Sequence, residues 1–297
     1  MRNREVHHRV KRIFLCCVMF ILPAGAWALP YSSILAFGDG LSDNGDADGF
    51  GIDRFSNGPV WVEYLSDAGH LNAPLLDVAF GGATTGYDNP AAGNPVTGLN
   101  WQVDYYLANF SAMVGPDTLV TIWAGANDLF LGRSYTGAAS NVELAVLKLA
   151  SAGFQNFLVM NLPNIGLTPA LRGTPAEVGA MLWSRAFNDE LAAGLAALQI
   201  AFPRVNFYTL DTFSLLNEVM ADPPTYGFDN VTGMWTNRPP GDTSTYLFWD
   251  RVRPTTEAHK LVADYAAAAA IPVPEPAALL LLGSGLLGLA GFGKRLK

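Results

Sequence analysis

The sequence has little cysteine and little charge. Its two cysteines, Cys16 and Cys17, stand side by side near the N-terminus of the 297-residue chain. This distribution excludes a small domain stapled by disulfides. Charged residues make up 15% of the chain and hydrophobic residues 50%, and this composition excludes a disordered polymer.

Basic residues are also scarce between the two ends of the chain. Residues 29–271 hold ten of the eighteen Lys and Arg residues but 24 of the 26 Asp and Glu residues. A surface this acidic repels the phosphate groups of nucleic acids and of anionic lipids. We therefore expect no nucleic acid among the partners of this protein.

The first 28 residues have the layout of a secretory signal peptide. Basic residues are followed by a ten-residue apolar run, Ile13–Leu22, and then by the small-residue pattern Ala26-Trp27-Ala28. A membrane anchor needs about 20 apolar residues to cross the bilayer, so this run is too short for one. We predict cleavage by signal peptidase after Ala28. Both cysteines leave with this segment, and the exported part must be stable without disulfides.

Residues 272–297 combine a proline-rich spacer, an apolar stretch and a basic end. The spacer contains Pro274-Glu275-Pro276, residues 277–293 carry no charge, and Lys294, Arg295 and Lys297 close the chain. Together they resemble the PEP-CTERM sorting signal of Gram-negative bacteria. The resemblance implies recognition by an exosortase-type enzyme and export to the cell surface or an exopolysaccharide matrix. The alternative, a plain C-terminal membrane anchor, also leads to the cell envelope.

Between these ends, short apolar runs alternate with longer helical patterns. The apolar runs predict buried parallel strands at Ile34–Phe37, Thr118–Trp123, Phe157–Met160 and Val205–Leu210. The helical patterns predict helices at Val60–Ala68, Val103–Phe110, Val142–Ala152, Pro175–Ala201 and Thr256–Ala270. This alternation predicts one α/β domain over residues 29–271, with a parallel sheet covered on both faces. In such sheets ligands bind at the carboxyl ends of the strands.

Two local features refine this prediction. Thr174 is expected to cap the long helix, with Pro175 at its first position. The proline-rich segment Pro223–Tyr246 interrupts the alternation. We interpret it either as a long surface loop that borders the site or as an ordinary irregular connection.

Four short motifs follow one another along the chain, two of them directly at predicted strand ends. They are Gly38–Gly45, Asp77–Thr85, Gly125–Asp128 and Tyr246–His259. In this order they resemble the motifs of the SGNH hydrolases, also called GDSL lipases or esterases, over essentially the whole of residues 29–271. The resemblance implies a flavodoxin-like three-layer α/β/α sandwich that hydrolyses carboxylic esters without a metal or another cofactor. It also implies a Ser nucleophile in the first motif and an Asp-x-x-His pair in the last.

The resemblance places the stabilisation of the oxyanion on three groups. These are the amide of Gly40, the amide of either Gly81 or Gly82, and the side chain of Asn127. The chemistry requires such preset donors because negative charge develops on the carbonyl oxygen during attack.

The same resemblance places the catalytic pair at positions that do not match. Asp250 stands where the orienting acid belongs and Asp39 stands beside the nucleophile position, but that position holds Gly40 and the base position holds Arg253. A glycine cannot form an acyl-enzyme, and an arginine stays protonated and cannot act as a base. We therefore expect hydrolysis to be impaired.

Other residues of suitable chemistry stand elsewhere. Ser42 lies two positions after the nucleophile position and is interpreted as a turn or cap residue. His259 lies six residues after the base position and is interpreted as a surface or structural histidine that points away from the start of its helix. His70 is interpreted as a C-terminal helix cap, and Asp128 and Asp211 as turn or cap residues.

Two hypotheses for the altered site follow. In the first, the oxyanion donors and Arg253 bind an anionic group, as part of an acyl ester, lipid or acylated polysaccharide ligand. In the second, Arg253 pairs with Asp250 and fills the site as a structural remnant. The function classes left open are an ester hydrolase with residual activity, a non-catalytic binding module and a structural protein of the envelope or matrix.

Overall fold

The computed structural model describes residues 31–45, 54–91, 96–110, 115–237 and 245–271. The predicted signal segment, residues 1–28, and the predicted sorting segment, residues 272–297, lie outside the described residues. Within the described ranges, no helix combines the length and the hydropathy that crossing a bilayer requires.

A parallel sheet forms the centre of the domain. Its strands are β1 (Ser33–Gly38), β2 (Leu75–Asp77), β3 (Thr118–Trp123), β4 (Asn156–Met160) and β5 (Asn206–Leu210), in the order β2-β1-β3-β4-β5. In the register of the sheet, Ile34 of β1 lies between Leu75 of β2 and Leu119 of β3. Every residue of β3 is buried, as expected for a central strand covered on both faces. This strand order is that of flavodoxin-like folds, as predicted.

Helices cover both faces of the sheet. They are α1 (Trp61–Ser66), α2 (Leu99–Phe110), α3 (Ala126–Phe130), α4 (Tyr135–Ala152), α5 (Glu177–Ala201), α6 (Thr212–Ala221) and α7 (Thr256–Ala270). Apolar residues of α1, α6 and α7 form one core with the sheet, and those of α2, α4 and α5 form a second. The predicted three-layer α/β/α sandwich is therefore confirmed.

Three elements of the sandwich were not predicted from the sequence: β2, α3 and α6. The first two are only three and five residues long, which is too short to show a hydrophobic period. The start of α4 also lies earlier than predicted, because the Ser134 side chain accepts a hydrogen bond from the Gly137 amide at 3.0 Å and caps the helix there.

The prediction that Thr174 caps α5 is wrong. The helix begins at Glu177, and its cap position, Ala176, makes no side-chain cap. The Thr174 hydroxyl instead donates to the Leu171 carbonyl at 2.6 Å, and the Glu177 carboxylate accepts from the Gly173 amide at 2.5 Å. These local bonds form a turn before the helix, so Pro175 lies outside it.

The described residues of segment 223–246 are more regular than either sequence interpretation. It contains a short 3-10 helix, Pro223–Tyr226, and a strand, β6 (Asn230–Met234). This strand pairs in parallel with β7 (Tyr246–Phe248), which leads toward α7. The pair is separate from the central sheet.

Candidate active site

The four motifs meet at the carboxyl end of the sheet. The chain leaves β1 at Gly38 and β3 at Trp123, and the loops that follow border a single cavity of about 550 Å³. Its lining includes Asp39, Gly40, Gly82, Asn127 and Arg253. The structure therefore brings together residues from all four motifs. Two of these motifs stand directly at strand ends that the sequence predicted.

Gly40 has no backbone need to be glycine, since it is not among the glycines with a positive φ. A Cβ atom at this position would lie 3.5 Å from Nε of Arg253 and 3.1 Å from a ring carbon of Phe55. A serine here would thus face the guanidinium, provided that the Phe55 ring shifts by a few tenths of an ångström.

Arg253 is held in place from two sides. Its Nη1 donates to Oδ2 of Asp250 at 2.7 Å, and its guanidinium lies 4.2 Å from the centre of the Phe55 ring. The second oxygen of Asp250 accepts the amides of Val252 at 2.8 Å and Arg253 at 2.7 Å. Among the described residues, Nε and Nη2 of Arg253 have no hydrogen-bond partner. The guanidinium is therefore fixed and still has donors to offer.

The amides of the second motif differ in availability. The Gly81 amide donates to Oδ2 of Asp43 at 2.6 Å, and the Phe55 ring covers its α-carbon so closely that a Cβ would lie 1.7 Å from a ring atom. Gly82 has φ +82°, and within the described part of the chain its amide makes no hydrogen bond. The Gly40 amide likewise makes no hydrogen bond within the described part of the chain. Of the three glycine amides that the resemblance offers as oxyanion donors, those of Gly40 and Gly82 are thus free and that of Gly81 is engaged.

The Asn127 side chain borders the cavity but is partly engaged. Its Nδ2 donates to the Ala83 carbonyl at 2.9 Å and to Oδ2 of Asp39 at a longer 3.4 Å. The shorter bond ties α3 to the loop after β2. One donor of Asn127 is therefore held only weakly and faces Asp39.

Asp39 is a buried carboxyl group beside Gly40, with 2% of its surface exposed. Burial raises the pKa of Asp39 to about 7, and the nearby Asp128 and Asp43 add to the rise. The hydrogen bond from the Leu41 amide, at 3.0 Å, and the charge of Arg253 act in the opposite direction. This carboxyl group therefore changes its charge near neutral pH inside the cavity.

Ser42 and His259 both lie in the core, away from the cavity lining. The Ser42 hydroxyl is fully buried and accepts a hydrogen bond from Nε1 of Trp61 at 3.1 Å. His259 is also fully buried, and neither of its ring nitrogens has a hydrogen-bond partner among the described residues. Burial lowers the pKa of His259 to about 3, so its ring is neutral at physiological pH. The structural interpretation of His259 is correct, and a surface position is excluded.

His70 and Asp128 do not have the roles predicted for them. Nε2 of His70 lies 2.8 Å from Oδ1 of Asp264 and links the end of α1 to α7, whereas the C-cap of α1 is Asp67. Asp128 is buried and accepts both the amide and the hydroxyl of Thr85, at 2.9 and 3.0 Å. Asp211 does cap a helix, because its carboxylate accepts the Ser214 amide at the start of α6.

Sequence reasoning missed much of the cavity wall. Phe55, the loop 163–171 and one face of α6 all contact or line the site, and none was a candidate. For α6 a signal exists, because Thr212, Leu215, Leu216 and Val219 have helical spacing after a capping Asp. By contrast, the described residues of 223–246 do not line the cavity. The interpretation of this segment as a border of the site is therefore wrong for its described residues.

Fold and site together define a class of protein: an α/β/α sandwich whose strand-end loops hold the framework of a serine-type ester hydrolase. Residues 34–266 match the family model of GDSL-like lipases and acylhydrolases. The match covers more than half of the chain, and the chain belongs to this family. Residues 272–295 match the PEP-CTERM protein-sorting motif. Both resemblances found in the sequence are confirmed.

Curated relatives and solved structures agree with this assignment. Thermolabile hemolysin from Vibrio parahaemolyticus is 27% identical over an alignment of 266 residues that covers 78% of this chain and 62% of that protein. Phosphatidylcholine-sterol acyltransferase from Aeromonas hydrophila is 29% identical over an alignment of 245 residues that covers 75% of this chain and 71% of that protein. This chain thus spans less than two thirds of the hemolysin.

A solved structure shows the shared fold. A member of the lipolytic G-D-S-L family from Veillonella parvula superposes with a TM-score of 0.54 at 19% identity, covering 81% of this chain and 99% of that one. At this identity the likeness concerns the fold.

Proposed function

We propose that this protein is an exported GDSL-family protein that binds an anionic group at the altered site and does not hydrolyse esters by the serine and histidine route. The observation that carries the proposal is the pair of substitutions at its centre. Gly40 faces Arg253, and Arg253 is fixed by Asp250 at 2.7 Å. The nucleophile and the base are absent, while the acid that orients the base position is kept.

The lost chemistry follows from the residue types. Acyl transfer needs a hydroxyl or thiol nucleophile and a group that accepts its proton. Glycine has no side chain, and a guanidinium stays protonated at any pH at which a protein is folded. In a serine protease, removing the nucleophile or the base costs on the order of 10⁶ in turnover, and removing both costs little more.

The retained chemistry is that of an anion site. The Gly40 amide, the Gly82 amide and the free donors of Arg253 all border the cavity. A carboxylate accepts hydrogen bonds well from such a combination of amides and a guanidinium fork. The ester carbonyl of a hydrolase substrate is neutral, so the fixed positive charge of Arg253 favours a ligand with a permanent negative charge.

The structural-remnant hypothesis accounts for only part of this geometry. The pair of Arg253 and Asp250 exists, as that hypothesis requires, but it uses a single nitrogen of the guanidinium. Pairing and ligand binding are therefore compatible. The second candidate function is a structural role in the envelope or matrix without a ligand. This role is the conclusion if no anion binds.

The proposal includes the sorting of the chain. Signal peptidase would remove residues 1–28, residues 29–271 would form the binding domain, and residues 272–297 would be read by an exosortase-type enzyme. The PEP-CTERM motif supports this order of events. The proposed location is the cell envelope, the cell surface or an extracellular matrix, and the ligand is an acyl ester, a lipid or an acylated polysaccharide that carries the anionic group.

Two assays on one preparation test the proposal. Titration of the secreted protein with acetate, sulfate and uronic acids measures anion binding, and a p-nitrophenyl ester assay measures turnover. We expect saturable carboxylate binding that Arg253→Ala weakens, and no turnover above background. Absence of any anion binding, together with unchanged stability of Arg253→Ala, would exclude the binding function. Turnover that follows the protein concentration would exclude the non-hydrolytic one.

A further inference from the structure

The lining of the cavity has a charged part and an apolar part. Its charged lining residues are Asp39, Arg251 and Arg253, which belong to the loop after β1 and the loop before α7. A second part of the wall is formed by six apolar residues of α6, α7 and β7, namely Leu215, Leu216, Val219, Leu261, Val262 and Phe248. The site is therefore wider than the anion-binding groups require.

The apolar wall arises from two helix stripes that face the same space. Leu215, Leu216 and Val219 have the spacing of one face of α6, and Leu261 and Val262 lie on one face of α7. Both helices also contribute to one hydrophobic core. Where their stripes border the cavity, apolar surface is left for a ligand to cover, and covering it stabilises the complex.

From this arrangement we infer that the ligand is an unbranched long-chain carboxylate, with its head at Arg253 and the amides of Gly40 and Gly82 and its tail along the walls of α6 and α7. The inference rests on the proposed function, because the head occupies the proposed anion site. Beyond the proposed function, it specifies the chemical class of the ligand and the path of its alkyl chain.

The charge at the head of the site also selects the ligand. The fixed charge of Arg253 favours a carboxylate over an alcohol or a neutral ester.

Calorimetric titration with n-alkyl carboxylates of increasing length tests the inference on the secreted protein. Each added methylene should strengthen binding roughly fourfold, since burying one contributes about 0.8 kcal/mol. The gain should end when the chain fills the cavity. Hexadecanol should bind on the order of 10- to 100-fold more weakly than hexadecanoate, because it lacks the charge-assisted bonds.

Wall variants test the path of the chain. Leu216→Gln and Leu261→Gln change partly buried residues, so the fold tolerates them better than changes in the fully buried core. Each should weaken hexadecanoate binding about tenfold and leave acetate binding unchanged. Leu144→Gln, at a 38% exposed leucine of α4 on the opposite face of the sheet, is the matched control and should change neither. Thermal melting confirms that all three variants fold.

The outcomes separate the two proposals. Carboxylate binding that is independent of chain length overturns the long-chain inference and leaves the anion site standing. Equal binding of hexadecanol and hexadecanoate overturns the placement of the head at Arg253. Failure of every anion to bind overturns the proposed function itself.

Discussion

Two basic residues near the start of α7 each lack a property that a catalytic base needs. Arg253, just before the helix, borders the cavity, is 29% exposed and pairs with Asp250. His259, in the first turns of the helix, is fully buried and has no hydrogen-bond partner among the described residues. The position that faces Gly40 carries a group that cannot accept a proton. The imidazole, which could accept one, lies in the core.

Position and proton affinity are therefore separate requirements for a catalytic base. A general base must reach the reacting proton and must also have a pKa near the working pH. Burial lowers the pKa of His259 to about 3, so this histidine fails on both counts. Arg253 lies at the position that faces Gly40, and its permanent positive charge favours the binding of an anion there. Variants of these residues test this contrast.

The largest expected effect comes from placing an imidazole and a hydroxyl at the two positions together. The double variant Gly40→Ser with Arg253→His should raise kcat/KM for a p-nitrophenyl ester by on the order of 10³ to 10⁶ over the unmodified protein. Asp250 is already in place to orient the new histidine, and Gly40 has no positive φ that would strain a serine.

Each single variant is the control for the double one. Gly40→Ser alone lacks a base and Arg253→His alone lacks a nucleophile, so both should stay at background. A silent double variant that melts normally would show that the site has changed beyond these two residues, with Phe55 over Gly81 as the first obstacle to examine.

The second prediction concerns the decrease in the free energy of unfolding that His259 causes at low pH. Its folded pKa of about 3 lies below the ordinary value of 6.5. Between these values the unfolded chain binds a proton that the folded chain does not, so the contribution of His259 becomes more unfavourable as pH falls. Relative to the unmodified protein, His259→Leu should gain up to about 1.4 kcal/mol of unfolding free energy per pH unit below 6.5.

Denaturant unfolding at pH 7, 6, 5 and 4 measures this difference. Asp39 and Asp77 act with the opposite sign, because burial raises their folded pKa values and they hold protons that the unfolded chain loses as pH rises. The comparison of variants cancels their contribution. Lys260→Gln, at the exposed neighbour, should show no such pH-dependent gain, and a constant difference for His259→Leu would refute the buried, neutral imidazole.

The third prediction separates two arginines of one loop. Arg253→Gln should weaken carboxylate binding on the order of 10- to 100-fold, since it removes a fixed charge with free donors from the site. Arg251 also lines the cavity, but it is exposed and has no ion pair among the described residues. Arg251→Gln should therefore cost no more than a few-fold. Equal losses in the titration would assign binding to the general charge of the loop.

The smallest expected effect is the pH dependence of binding. Asp39, with a pKa of about 7, is neutral at pH 6 and charged at pH 8, and its charge repels a bound carboxylate. Binding should be several-fold tighter at pH 6, and Asp39→Asn should remove the difference while keeping the acceptor for the Leu41 amide. Asp189→Asn, at an exposed acid of α5, should leave the pH profile unchanged. A profile that persists in Asp39→Asn would assign the effect to another buried acid, with Asp128, whose pKa burial also raises, as the first candidate.

The sequence was enough to predict four of the five strands of the sheet and helices on both of its faces. It also placed two of the four motifs at strand ends, which share one edge of a parallel sheet. It could not decide between Gly81 and Gly82. That choice depends on a positive φ at Gly82 and on the bond from the Gly81 amide to Asp43, which joins two distant loops. Phe55 could not be predicted for the same reason, since nothing near it in the sequence marks its contact with Arg253.

Intact-protein mass spectrometry after incubation with a p-nitrophenyl ester tests the central claim most directly. The protein as exported should keep its mass and release no p-nitrophenol, because Gly40 cannot carry an acyl group and Ser42 is buried against Trp61. The double variant Gly40→Ser with Arg253→His should show an acyl adduct or catalytic release. An acyl adduct on the unmodified protein, or sustained release of p-nitrophenol by it, would contradict the account.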